Sequence, residues 1–161
     1  MTVNNSLNAP NAVIQKVSST VTSKLTCSTE LPLDDTIPQK TEGTEVLTLA
    51  ITPTSSTNIL KIEFSGGGTT DANKFGGVAL FQDATTNALA AQRISGVVGA
   101  ATASADSIYL THVMTSGTTS STTFKIRMGC SAGSTYINGT SSARVFGGVA
   151  STVLTVTEYQ A

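Results

Sequence analysis

Apolar and polar residues alternate with a period of two along most of the chain, the pattern of strands that bury one face. From Lys16 to Cys27, Val17, Val21, Leu25 and Cys27 take odd positions, while Lys16, Ser18, Thr20, Thr22, Lys24 and Thr26 take even ones. Leu47, Leu49 and Ile51 repeat the pattern between Glu45 and Ile51, and Leu60, Ile62 and Phe64 repeat it against Lys61 and Glu63. With only Thr52–Asn58 between them, these two segments read as a hairpin. Val78–Gln82 and Ala88–Ile94 flank a turn at Asp83–Asn87, and Ile108–Met114 pairs with Phe124–Cys130 about the turn Ser116–Ser121. Arg144–Val149 and Val153–Tyr159 complete the set, after an Asn138-Gly139 dipeptide that favours a two-residue type I′ hairpin turn.

The breaks are as regular as the strands. Leu31–Gly43 contains Pro32, Asp34, Asp35, Pro38 and Gly43, so it reads as irregular chain between two strands. Ser65–Gly77 carries five glycines and reads as a long flexible connection, a place where function often sits. Ser95–Ser107 is a stretch of small residues. Thr86–Gln92 is the sole stretch whose propensity suits a helix, but its seven residues are too short to be stable alone, so it is read as strand. Eight to ten strands joined by turns predict an all-β fold, an antiparallel β-sandwich or jelly roll, in which paired sheets bury one face of every strand.

Composition supports this reading. Hydrophobic residues make up 39% of the 161 residues, enough for one folded domain without a disulfide scaffold. Thr alone supplies 28 positions, and its β-branch suits a pleated, partly solvated surface. Nine Lys and Arg are scattered singly in a chain of net charge −1, so no basic stripe predicts nucleic-acid binding. The uncharged runs are short or rich in Ser, Thr and Gly, so membrane insertion is not expected, and Met1–Ser6 shows no secretory signal. Cys27 and Cys130 fall on apolar strand faces and read as buried thiols in preference to a bridge, which the sequence also permits.

No constellation for catalysis emerges, so neither enzyme activity nor a metal or cofactor is expected. His112 is the sole histidine, and no G-x-S-x-G or H-E-x-x-H motif accompanies it. Lying between Leu110 and Met114, it reads as a core or subunit-interface residue. Paired carboxylates for glycan hydrolysis would have to come from Asp34, Asp35, Glu42 and Glu45, which a Pro-rich turn and a strand entry explain more simply. Ser65-Gly-Gly-Gly-Thr69 lacks the Lys and helix of a phosphate loop. Tyr109, Tyr136 and Tyr159, with exposed Asn and Thr, are suited to stacking on a sugar and hydrogen-bonding it, and equally to filling and edging a sandwich.

Leu33-Asp-Asp-Thr-Ile-Pro-Gln39, Thr41-Glu-Gly43, Leu47-Thr-Leu-Ala-Ile-Thr-Pro53 and Asn58-Ile-Leu-Lys-Ile62 together resemble the start of a β-module of tail-fibre and related virion surface proteins of tailed bacteriophages. Val78-Ala-Leu-Phe-Gln-Asp83, Ser116–Ile126, Arg144-Val-Phe-Gly-Gly148 and Thr157-Glu-Tyr159 continue it in the same order, covering Ser28 to the C-terminus. Thr2–Pro10 resembles the leader of phage fibre proteins, without the Gly-Gly-Thr-Gly that usually follows. The resemblance implies a homotrimeric virion structural protein without a cofactor, made in the host cytoplasm. Its partners would be other phage virion proteins of tail or capsid and a host surface glycan or protein. The function expected is a short tail fibre or receptor-binding tip, the alternative a capsid decoration or head-fibre protein. Residues 1–13 are read as a virion attachment arm, with Val3, Leu7 and Pro10 as docking groups, and residues 14–161 as the β-sandwich domain. Tyr109, His112, Tyr136 and Asn138 are the ligand or interface candidates.

Overall fold

The computed structural model describes residues 11–71, 73–94 and 104–161. The expected attachment groups Val3, Leu7 and Pro10 lie outside these residues. Ten strands run through the described chain: β1 Val13–Val21, β2 Leu25–Cys27, β3 Thr44–Ile51, β4 Ile59–Thr70, β5 Gly76–Gln82, β6 Ala90–Ile94, β7 Ser104–Thr115, β8 Thr122–Cys130, β9 Thr135–Ile137 and β10 Thr152–Tyr159. They form two antiparallel sheets, of six and four strands. The larger has the order β1-β10-β4-β9-β2, with β7 along the other edge of β4, and the smaller the order β3-β8-β5-β6.

The sheets enclose one core, as alternation demands. Leu60, Ile62, Phe64, Leu154 and Val156 of the larger sheet pack in the same buried cluster as Leu47, Val78, Leu80, Phe124, Ile126 and Met128 of the smaller. A bulge between Glu45 and Leu47 lets the neighbours Val46 and Leu47 both turn inward. The all-β expectation therefore holds, and the pair β5–β6 forms as read.

Other pairings differ. β3 and β4 make no hairpin: β3 pairs with β8, β4 pairs with β10, β7 and β9, and Thr52–Asn58 arches from one sheet to the other. Glu158 of β10, fully buried, anchors that arch. Its carboxylate accepts hydrogen bonds from Thr54 N at 2.8 Å, Thr54 Oγ1 at 2.9 Å, Asn58 Nδ2 at 2.6 Å and Gln15 Nε2 at 2.6 Å. Burial works against its ionisation, but the bonds from Asn58, Gln15 and Thr54 outweigh burial and hold its pKa below the ordinary value. β7 and β8 likewise belong to opposite sheets.

The single strand expected over Lys16–Cys27 is two, because Asn138 Nδ2 bonds to Val21 O at 2.9 Å and Ser23 O at 3.2 Å across a break. Ser65–Thr70 is not a connection but the second half of β4, and Ser104–Ser107 is the start of β7. Arg144–Val149 is not a strand; Arg144 makes an isolated bridge to Gly139, and Phe146–Gly148 forms a short 3-10 turn. The turn itself falls on Thr140–Ala143, where Thr140 N donates to Ala143 O at 2.8 Å, and not on Asn138-Gly139.

Leu31–Gly43 is irregular as expected, and it is also a strap over the outer face of the smaller sheet. Leu31 N donates to Cys130 O at 3.2 Å and Ala88 N to Pro38 O at 2.9 Å. Leu31 lies so close that a Cβ on Gly77 would come within 2.9 Å of its Cδ2. The strap side also explains why Ala79 and Phe81, which alternate away from the central core, are buried. Cys27 and Cys130 are free, buried thiols. Burial, with Cys130 nearby, pushes the Cys27 thiol up to about 12.

Candidate functional site

The glycine run of β4 marks a change of partner. β10 pairs with Ile59–Ser65 and β9 with Gly68–Thr70, while β7 follows the opposite edge throughout. Gly66 is obligatory because a Cβ there would lie 2.5 Å from Thr152 Oγ1. At Gly67 a Cβ would meet only Asp106 O, at 4.0 Å, so the missing side chain leaves open space. That space is part of an open cleft of about 570 Å³, within the range of roughly 300–1,000 Å³ typical of small-molecule sites.

Three segments wall the cleft. Gly67, Gly68 and Gly139 contribute bare backbone, and Ala105, Asp106 and Ser107 of β7 form one side. The loop from Val145 to Ser151 forms the other. Asn138, at φ 55°, ties the walls together: its backbone N donates to Gly67 O at 3.2 Å, and its Oδ1 accepts from Thr152 Oγ1 at 3.0 Å.

Two features of the walls are not explained by packing. Asp106 meets the cleft through its backbone, while its side chain alternates to the core-side face of β7 with Ile108, where Oδ2 is buried without a hydrogen-bond partner. Such groups cost free energy and are rare in native structures. At the rim, Phe146 is held at φ 51° and is 78% exposed, followed by Gly147 at φ 61° and Gly148 at φ 93°. A left-handed backbone at a bulky residue costs on the order of 1–3 kcal/mol, and such strain concentrates at ligand clamps and switches. Val149, 82% exposed, extends the same apolar tip.

The candidates read from the sequence do not converge here. Asn138 alone lines the cleft, and its amide is already engaged. Tyr109 stands on the outer face of the larger sheet, where its hydroxyl donates to Glu63 Oε1 at 3.1 Å beside the Lys61–Glu63 ion pair of 2.7 Å. The Lys61 contact, with help from Tyr109, keeps the Glu63 carboxyl below its ordinary range. His112 lies half-buried on the core side of β7, opposite Ile62. Tyr136 of β9 is half-buried with Lys24 Nζ 5.5 Å from its ring centre, and burial raises its hydroxyl pKa. The sequence reading missed Gly67, Asp106 and Phe146. Gly147-Gly148 directly after an aromatic was the available signal for an exposed tip at Phe146.

Among the described residues no group of three or more His, Cys, Asp or Glu side chains is placed to hold a metal ion. No helix of the described chain is long and apolar enough to cross a membrane. No protein-family model and no curated sequence matches the chain. Among solved structures, a chain in the structure of infectious bursal disease virus Gx strain is similar at 13% identity, over 92% of this chain and 38% of that one, with a TM-score of 0.39.

Proposed function

We propose that the protein is a structural component of a bacteriophage virion, a short tail fibre or receptor-binding tip that contacts the host cell surface as a homotrimer without enzymatic activity. The observation that carries this reading is the strained, exposed apolar tip Phe146–Val149 beside an open cleft. Exposed apolar groups held at a backbone cost are retained where something receives them. The resemblance of Leu33–Ile62 and Arg144–Gly148 to phage tail-fibre modules supplies the context.

The outer face of the larger sheet supports self-association. Tyr109 and Val113 project from β7 at 57% and 56% exposure, beside an edge of β7 that pairs with no described strand. Exposed edges of this length are normally covered.

Light scattering of the purified protein should give three times the 16.4 kDa chain mass, and a strict monomer contradicts the trimer. Immunogold labelling of virions should decorate the tail in few copies, and the free protein should block phage adsorption. Labelling across the head shell in numbers that follow capsid geometry would replace the tail reading with the decoration one.

A further inference from the structure

We infer that β7 is a self-pairing edge: two copies of this chain join β7 to β7 antiparallel about a two-fold axis at Thr111, making one continuous sheet of their two larger ones. The inference rests on the self-association read from this face and needs neither the virion role nor the threefold contact.

The other sheet edges are guarded. An open edge offers unpaired N–H and C=O groups to any further strand, and proteins blunt it with short length, charge or a bulge. β1 carries Lys16 and a register shift between Val13 and Gln15, and β3 carries Glu45 at its bulge. β2 has three residues, and β6 has five with Arg93 among them. β7 runs for twelve residues in unbroken register with β4, and its other side pairs with no described strand. The inward-turned Asp106 guards only its start, because Ser107–Thr115 contains no Asp, Glu, Lys, Arg or Pro.

The sequence of that stretch selects a second copy as its occupant and sets the register. Ser107–Thr115 is centred on Thr111, and so are its two exposed large side chains, Tyr109 and Val113. About an axis at Thr111, Tyr109 of each copy stands opposite Val113 of the other, an aromatic and β-branched pair of the kind that stabilises sheets. On the inward face Ile108 meets Met114 and Leu110 meets His112, all buried or half-buried positions. A slip of one residue would set inward faces against outward ones. Moving the axis toward the start of β7 brings Asp106 into the ladder, and moving it toward the end shortens the ladder. A contact of one nine-residue edge falls below the roughly 1,200 Å² of a standard stable interface, so it forms at high concentration and joins in pairs whatever the dilute chains already are, single or trimeric.

Sedimentation of the full-length chain from low micromolar to near-millimolar concentration tests this. The wild-type mass should double over that range. Thr111→Lys, at an exposed position, sets like charges opposite each other on the axis and should hold the dilute mass throughout, with an unchanged thermal midpoint. Directly opposed residues lie about 4.5–5.5 Å apart between Cα atoms, within disulfide reach, so under copper-phenanthroline Thr111→Cys should cross-link to its own copy about tenfold faster or more than Val113→Cys. The inference is overturned if the mass stays constant, if it rises equally in Thr111→Lys, or if Val113→Cys cross-links as fast as Thr111→Cys. Pairing by a protein that neither labels virions nor blocks adsorption would retire the virion reading and leave the strand contact, so the two fail separately.

Discussion

Glu158 shows what a single residue does in this sandwich and how little alternation says about it. It occupies an inward position of β10 where the pattern calls for an apolar side chain, and it is stable there because four donors meet its carboxylate. Those donors come from β1 and from the arch, elements remote in sequence, so no local signal marks the site. In Glu158→Gln an amide N–H must face a donor, and the substitution should lower unfolding free energy by about 1–3 kcal/mol in chemical denaturation. The pH dependence follows from the lowered pKa. The unfolded carboxyl takes up its proton near the ordinary 4.5, before the folded one does, so the stabilisation is whole above that value and lost as pH falls through the folded pKa. The thermal midpoint of the wild type should therefore fall more steeply with acidification than that of Glu158→Gln; equal slopes would count against the role. Cys27 was readable as a buried thiol, and the structure adds its consequence. With its pKa raised to about 12, Cys27 should resist a thiol-disulfide reagent in the native state and react only on unfolding.

At the scale of elements, the strands were legible and their partners were not. Period two reports that a segment has a wet and a dry face, which β3, β4, β7 and β8 all have. It does not report whether a seven-residue connection such as Thr52–Asn58 turns within a sheet or arches between sheets; here the buried carboxylate beneath the arch decides. Gly66–Gly68 misled for a related reason. Glycine there answers to close approach, by Thr152 at Gly66 and by Ile108 and Tyr136 at Gly68, and not to a need for flexibility. The two neighbours should accordingly respond in opposite ways. Gly66→Ala should cost about 1–3 kcal/mol through overpacking, whereas Gly67→Ala should be neutral or stabilising by roughly 0.5–1 kcal/mol. Equilibrium denaturation of both variants checks the contrast, and equal losses would refute the account of the cleft floor. The cleft was illegible because its walls come from β4, β7 and the loop Val145–Ser151, brought together only by the fold.

On the scale of the whole molecule, the smaller sheet is covered on its outer side, while no described segment covers the outer side of the larger. The strap Leu31–Gly43 supplies the cover, and Leu31→Ala should lower stability by about 2–5 kcal/mol in urea titration, although the segment carries no regular structure. The order of the larger sheet has a separate consequence. β10 lies between β1 and β4, hydrogen-bonded to both, so the first of the ten strands joins the sheet through the tenth. The nascent chain must hold β1 and β4 without their shared neighbour until Thr152–Tyr159 clears the ribosome. Chains stalled before Thr152 should remain protease-sensitive throughout, and chains released past Tyr159 should become resistant in one step. Protection of a stalled intermediate would show that β3, β5 and β8 close on their own. This ordering leaves β1 without its partner, and the Ile59–Ser65 edge of β4 open, until β10 is made, and places the risk of edge-to-edge aggregation in that interval.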